Sequence, residues 1–270
     1  MSEILVVGAD SLIGAALYQE LSNCGIDVIG TSRRPLSPHK IHLNLLDNLD
    51  HWAPPSGITS AVICAGMTNV ENCEKEPDIS RIINVTATKK LIDKLILAGI
   101  HVVYLSSDLV SDKSMLHKQY SIQKAEVEIY LHKYLYASCV VRMSKVIPSK
   151  FDLFVNWALD LQNNRVITPF LDKYFSPITL KFCANFLLEV VVEKKYGLYV
   201  LEGSKRINYY DAALELAKKI GANSKLIQPK YCFIDDIGSE RRKINSFKSG
   251  KLILEVEPLS AEKIIIDAAG

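Results

Sequence analysis

Tyr120 and Lys124 stand four residues apart in the segment YSIQK, and the apolar run HVVYL upstream of them ends in Ser106 and Ser107. On a helix, positions four apart share a face, so the phenol and the ammonium would project together. An ammonium beside a phenol favours phenolate and draws the tyrosine below its ordinary pKa of ~10. A tyrosine placed in this way can pass a proton to a carbonyl oxygen. A serine hydroxyl at the end of a neighbouring strand can hold that oxygen. YxxxK alone is a common spacing, and a surface tyrosine and lysine give the same pattern. It gains weight from the strand ending in Ser107 and from a second constellation near the N-terminus.

That second constellation is GADSLIG, with Gly8, Ser11 and Gly14 between a strand-like run and a helix that opens with Leu12 and Ile13. In dinucleotide folds the first glycine makes the tight turn and the last lets helix and strand pack closely. The helix N-terminus then receives the pyrophosphate. Spacing alone also describes an ordinary βα turn, but its place at the head of a βαβ series points to a dinucleotide. The next strand ends in GTSRR. An NAD site wants an acid here for the ribose 2′-hydroxyl, and none is present in this stretch. Ser32, Arg33 and Arg34 stand there instead, and a guanidinium matches the 2′-phosphate of NADP. A solvated basic loop reads the same way. Asn44 follows the third strand, where it can meet the adenine edge or simply turn the chain.

To place these residues, the first half must alternate strands and helices. Strands are read at 3–8, 26–32, 40–45, 60–66, 101–107 and 138–144, and helices at 12–25, 81–100 and 121–136. The run SAVICAG is continuously apolar, as parallel strands buried on both faces are. The order predicts an α/β, Rossmann-like, doubly wound parallel sheet. Beyond about Lys150 the pattern loosens into helices at 151–162, 180–193 and 208–221, a turn-rich β stretch at 165–179 and a strand at 197–203. Residues 1–162 are read as the dinucleotide-binding domain and 163–270 as a smaller C-terminal substrate-binding lobe, with about 180–203 returning to the main sheet.

The chain has 270 residues, enough for a sizeable core. Its 32 basic against 30 acidic residues leave +2, no footprint for nucleic acid or an anionic membrane. No apolar run approaches the ~18 residues of a membrane span. The start, MSEILVVGAD, enters a strand without a basic region or a cleavage site, so no secretory signal is expected. Six scattered cysteines contain no CxxC pair, which argues against a zinc site or a disulfide framework and fits a reducing cytoplasm.

With these motifs in place, the chain resembles the extended short-chain dehydrogenase/reductases of the NAD-dependent epimerase/dehydratase superfamily, and within them the dTDP-4-dehydrorhamnose reductase group. GADSLIG stands at that family's glycine turn. AGMTNVENCEKEPDISRIINVTAT (65–88) is similar to its long segment after the fourth strand, with Glu74, Pro77 and Asn84 in register. LSSD, YSIQK with Glu128 beyond it, VVRMS and LDKYFSPIT match in turn. Four positions depart: Ser11 replaces the middle glycine, the link from Asp108 to Tyr120 is short, Lys145 stands where an aromatic is common and Cys183 where an acid is common.

The resemblance implies Tyr120 as proton donor, Lys124 on the nicotinamide ribose and Ser107 on the substrate oxygen. It implies further cofactor contacts from Leu12, Ile13, Leu45, Ala65 and Gly66, beside Gly8, Ser11, Gly14, Ser32, Arg33, Arg34 and Asn44. Substrate contacts would come from Ser107, Asp108, Asp172, Pro177 and Thr179. The activity implied is NADP(H)-dependent reduction of a nucleotide-linked 4-keto-6-deoxy sugar at C4, with NAD(H) as the lesser alternative cofactor. Two other readings stand beside it: a non-catalytic NADP-binding regulatory subunit of the same fold, and a reductase or epimerase of another nucleotide sugar. Neither nucleic acid, membrane nor metal enters any of them, and a homodimer is compatible with all.

Overall fold

The computed structural model describes residues 3–34, 40–112, 115–232 and 252–270. The first half runs β1 (Glu3–Val7), α1 (Leu12–Asn23), β2 (Val28–Ser32), β3 (Lys40–His42), β4 (Ile58–Ile63), α2 (Val70–Lys75), α3 (Pro77–Arg81), α4 (Thr88–Leu97), β5 (His101–Ser107), α5 (Gln119–Leu131) and β6 (Ser138–Met143). A π-helical turn, Ile82–Ala87, joins α3 to α4. The rest runs β7 (Lys145–Ile147), α6 (Asp152–Gln162), β8 (Tyr174–Phe175), β9 (Pro177–Thr179), α7 (Leu180–Val192), β10 (Gly197–Glu202), β11 (Ile207–Asn208), α8 (Tyr209–Ile220), β12 (Leu252–Val256) and α9 (Ala261–Asp267).

Eight strands form one sheet in the order β12-β10-β6-β5-β4-β1-β2-β3. The pairs β1–β2, β1–β4, β2–β3 and β4–β5 are parallel. The order reverses between β4 and β1, the switch point outside which such sheets bind ligands. Alternate residues of the strands, among them Leu5, Val7, Ala61, Ile63, Val102 and Tyr104, pack with Leu91, Leu95, Val127 and Leu131 of α4 and α5 into one buried cluster. Leu17 and Leu21 of α1, four residues apart, are fully buried.

The chain divides into two compact units. The first comprises the chain up to Arg142, Ala184–Val200 and the start of β12; the second comprises Met143–Cys183, residues 201–232 and Leu254–Gly270. The second unit therefore begins near residue 143 rather than 163. The physical reason is α6: its Phe154, Trp157, Ala158 and Leu161 bury against Ile207, Ala212, Ala213 and Leu216 and against Ile264 and Ile265 of α9. Residues 184–200 return to the first unit. Gly221 closes α8 in the left-handed conformation (φ 68°).

Candidate active site

The glycine turn is built by close contacts. Gly8 has φ +82°, and a side chain on it would lie 2.8 Å from the Ala65 backbone nitrogen, so the turn after β1 packs directly on the segment after β4. A side chain at Gly14 would meet the Gly8 carbonyl oxygen at 2.3 Å, which is what lets α1 start so close to β1. The turn is stitched to β2: the Gly8 and Ala9 amides donate to the Thr31 hydroxyl and carbonyl, each at 2.9 Å. Ser11 has a different job from the glycine it replaces. It is the N-cap of α1, its hydroxyl accepting the Gly14 amide at 3.1 Å. The first-turn amides of Leu12 and Ile13 remain the donors that a helix N-terminus offers an anion. The two glycines let the turn pack tightly, and the capped helix start with its first-turn amides fits a dinucleotide pyrophosphate.

At the end of β2, Ser32 is buried and Arg33 and Arg34 are exposed. Asp10, from the glycine turn, accepts a hydrogen bond from the Ser32 hydroxyl and forms an ion pair with Lys40 of β3. An acid therefore does reach this end of the sheet, from β1 and not from β2. Asn44 closes a turn: its amide donates to Asp47 at 3.0 Å and its oxygen accepts from Leu46 at 3.2 Å. Leu45 is buried in the core, while Ala65 is half-buried and Gly66 exposed after β4. A side chain at Gly66 would meet the Asn84 side-chain oxygen, Oδ1, at 3.2 Å.

Ser107, Tyr120 and Lys124 come together. β5 is buried from end to end and delivers Ser107 at its carboxyl end. Tyr120 and Lys124 lie in the first turns of α5, both buried. The Ser107 hydroxyl accepts the Leu109 amide at 3.3 Å and donates to Asp108 at 3.4 Å, and it stands near enough to the Tyr120 phenol to act on its pKa. The Lys124 ammonium donates to the Leu105 carbonyl at 2.8 Å and lies 5.7 Å from the Tyr120 ring centroid and 4.7 Å from that of Tyr104. Asp108 starts a single 3₁₀ turn, Asp108–Ser111. The short link to Tyr120 is closed partly by Glu74 of α2, whose carboxylate accepts the Gln119 amide at 2.6 Å at the start of α5.

The expected lowering of the tyrosine does not occur. Burial raises the Tyr120 phenol, neighbouring Cys73 and Asp108 add to this, and only donation from Ser107 opposes it. The reason is geometric: the ammonium is aimed at the Leu105 carbonyl, not at the phenol oxygen. Tyr120 is thus held protonated, as a proton donor should be. The same burial pulls Lys124 down to about 8, partly offset by Glu128.

Two buried networks brace this group. Glu128, wholly buried on α5, accepts from Ser106 at 2.5 Å and takes a two-pronged bond from Arg142 of β6 at 3.0 and 2.6 Å. Arg142 also donates to Ser111 at 2.8 Å. In the second network, Asn84 of the π-helical turn accepts the Met67 amide (2.8 Å) and donates to the Met67 carbonyl (2.9 Å) and to Gln123 (2.8 Å). Gln123 then donates to Ser80 at 2.8 Å. Asp10, Gln123 and Arg142 were not among the site residues read from sequence. An acid inside a glycine turn and a glutamine between Tyr120 and Lys124 were the available signals.

In the second unit, Asp172 is exposed and accepts the Cys232 amide through both oxygens at 3.0 Å. Pro177 is buried in β9, and the Thr179 amide and hydroxyl both donate to Glu257 at 2.8 Å. That unit also holds a cavity of about 490 Å³ lined by Trp157, Phe170 and Tyr209 and by Lys145, Lys173 and Lys230. Among the described residues no group of His, Cys, Asp and Glu could hold a metal ion, and no helix is long and apolar enough to cross a membrane.

A doubly wound parallel sheet with a glycine turn after β1 defines a protein of the Rossmann-like α/β class. More narrowly, the chain belongs to the RmlD substrate binding domain family, whose model matches residues 1–232. It is 23% identical over 242 residues to the spore coat polysaccharide biosynthesis protein SpsK of Bacillus subtilis, covering 84% of this chain and 82% of that one. It is 32% identical over 114 residues to methionine adenosyltransferase 2 subunit beta of Rattus norvegicus, covering 40% of this chain and 33% of the relative, so the match spans a third of that protein's length. Its fold is similar to a dTDP-4-dehydrorhamnose reductase from Bacillus anthracis solved in complex with NADP (TM-score 0.73, 17% identity, 98% and 97% of the two chains).

Proposed function

We propose that the protein is an oxidoreductase that reduces the 4-keto group of a nucleotide-linked 6-deoxy sugar, with NADPH as its reductant. The observation that carries this reading is the gathering of Ser107, a buried Tyr120 and Lys124 in the same unit as the glycine turn. A bound reduced nicotinamide supplies the hydride. Ser107 holds the carbonyl oxygen, and Tyr120 donates its proton to that oxygen as negative charge develops there. Lys124 keeps a positive charge close to the phenol and offers an ammonium to the nicotinamide ribose. Gly8, Ser11, Leu12, Ile13 and Gly14 receive the pyrophosphate, Arg33 and Arg34 the 2′-phosphate, and Asn44, Ala65 and Gly66 the adenosine half and its linker, while Leu45, whose side chain packs in the core, offers only its backbone. Asp108 is the polar group that the first unit offers to the sugar, while in the second unit Asp172, Pro177 and Thr179 stay candidates for substrate contact. Aromatic rings and lysines in one cavity of the second unit suit a nucleobase and a diphosphate, which supports a nucleotide sugar as the substrate class.

Incubation with NADPH and a panel of nucleotide 4-keto sugars, following the loss of nicotinamide absorbance, tests the reading. Oxidation of NADPH matched by formation of the 4-hydroxy sugar supports it. Turnover of another nucleotide sugar alone would move the assignment to a related reductase or epimerase.

A second reading, a non-catalytic NADP-binding subunit, is favoured by one observation: the likeness to a protein named as a subunit of methionine adenosyltransferase. Tight NADPH binding with no turnover of any sugar in the panel would support it.

A further inference from the structure

β1 and β2 are adjacent and parallel, with Val6 opposite Gly30, so the turn that follows β1 lies against the end of β2. The Ala9 amide donates to the Thr31 carbonyl, which puts the next residue, Asp10, beside Ser32. There one Asp10 oxygen accepts from the Ser32 hydroxyl and the other pairs with Lys40. The Arg34 amide also donates to the Ser32 hydroxyl, at 3.0 Å. Asp10 and Lys40 are each about a quarter exposed, and Arg33 and Arg34 more so. A carboxylate, a hydroxyl and the Lys40 ammonium thus meet, with Arg34 close enough to act on Asp10 and Arg33 next to it in the chain, at the point where dinucleotide folds seat the adenosine ribose.

We infer that Asp10, supplied by the glycine turn, is the residue that sets the choice between a ribose 2′-hydroxyl and a 2′-phosphate, with Lys40 as its counter-charge. The inference rests on the dinucleotide-binding part of the reading above. A 2′-hydroxyl is a donor and finds an acceptor in the carboxylate. A 2′-phosphate is an anion and meets repulsion from Asp10 but attraction from Lys40, Arg33 and Arg34. Lys40 serves both cases. Paired with Asp10 it masks the acid, and shared with a phosphate it offsets the like-charge contact. The lowered pKa of Asp10, caused first by Lys40 and then by Ser32, keeps the acid ionised throughout the working range. The site therefore accepts both cofactors, with a preference for NADPH that Asp10 restrains.

Equilibrium titrations of NADH and NADPH at fixed ionic strength, followed by protein fluorescence, test this without any turnover. In Asp10→Asn, which keeps the size and removes the charge, the ratio of the NADH to the NADPH dissociation constant should rise about tenfold, the size of one like-charge contact at a partly exposed position. In Lys40→Met the ratio should fall by about as much, and this variant carries the test if Asp10→Asn does not fold. A ratio within about twofold of the parent in both variants, with both cofactors still binding, overturns the role of Asp10 and leaves the dinucleotide reading standing. No binding of either cofactor to the parent chain overturns both.

Discussion

Burial acts on Tyr120 and Lys124 in opposite directions, and the pH behaviour of the protein should follow. The phenol is raised and stays protonated, while the ammonium is drawn down to about 8. Turnover should therefore fall as pH rises through about 8 and Lys124 loses its charge, and Lys124→Arg should shift that limb upward in a pH–rate profile. Stability should move the other way. An unfolded lysine titrates near ~10.4, so below about 8 both states are protonated and the full cost of burying the ammonium is felt. Between about 8 and 10.4 the unfolded state binds more protons, and stability rises with pH. Urea denaturation of the parent against Lys124→Met across this window should show the parent gaining, and a constant difference would contradict it. Ser107→Ala should lower turnover on the order of 10²-fold with NADPH affinity unchanged. Replacing Arg33 and Arg34 by alanine should weaken NADPH and spare NADH, as paired titrations would show.

Between residues and fold, the helices carry more than their apolar stripes. The four-residue spacing of Ala87, Leu91 and Leu95 marks α4 from sequence, and these positions are buried. Upstream of Ala87, Ile83 is half-buried and still packs on that core, but Asn84 and Val85 beside it are the buried positions. The π-helical turn shifts the phase by a fraction of a turn, and hydrophobic periodicity does not register a buried asparagine. Asn84 links the segment after β4 to Gln123 on the helix that bears Tyr120 and Lys124. Gln123→Leu would leave Asn84 and Ser80 with lost partners, costing about 1–3 kcal/mol of stability. It should also lower turnover more than it weakens NADPH binding. Glu128→Gln, which leaves Arg142 buried without its carboxylate, should cost about 3–5 kcal/mol in chemical denaturation. A loss under about 1 kcal/mol would show that the Glu128–Arg142 pair does not brace the site.

Across the chain, what could be read in advance was whatever repeats with a short period. Alternating β-rich and amphipathic runs give the parallel sheet, and the residues ending β1, β2 and β5 give the site. Contacts between distant residues have no such signature. Asp10 and Lys40 meet only because β1, β2 and β3 are neighbours in register. The unit boundary near residue 143 depends on α6 packing against α8 and α9, a contact between segments far apart in the sequence. The measurement that decides the account is the turnover of Tyr120→Phe with NADPH and a nucleotide 4-keto sugar, made alongside NADPH titration. The substitution keeps the ring that fills its buried position and removes the hydroxyl that carries the proton. Turnover is expected to fall by ~10²-fold or more with NADPH affinity unchanged. A Tyr120→Phe protein with the parent's turnover would contradict Tyr120 as the proton donor, and with it the reductase mechanism built on Ser107, Tyr120 and Lys124.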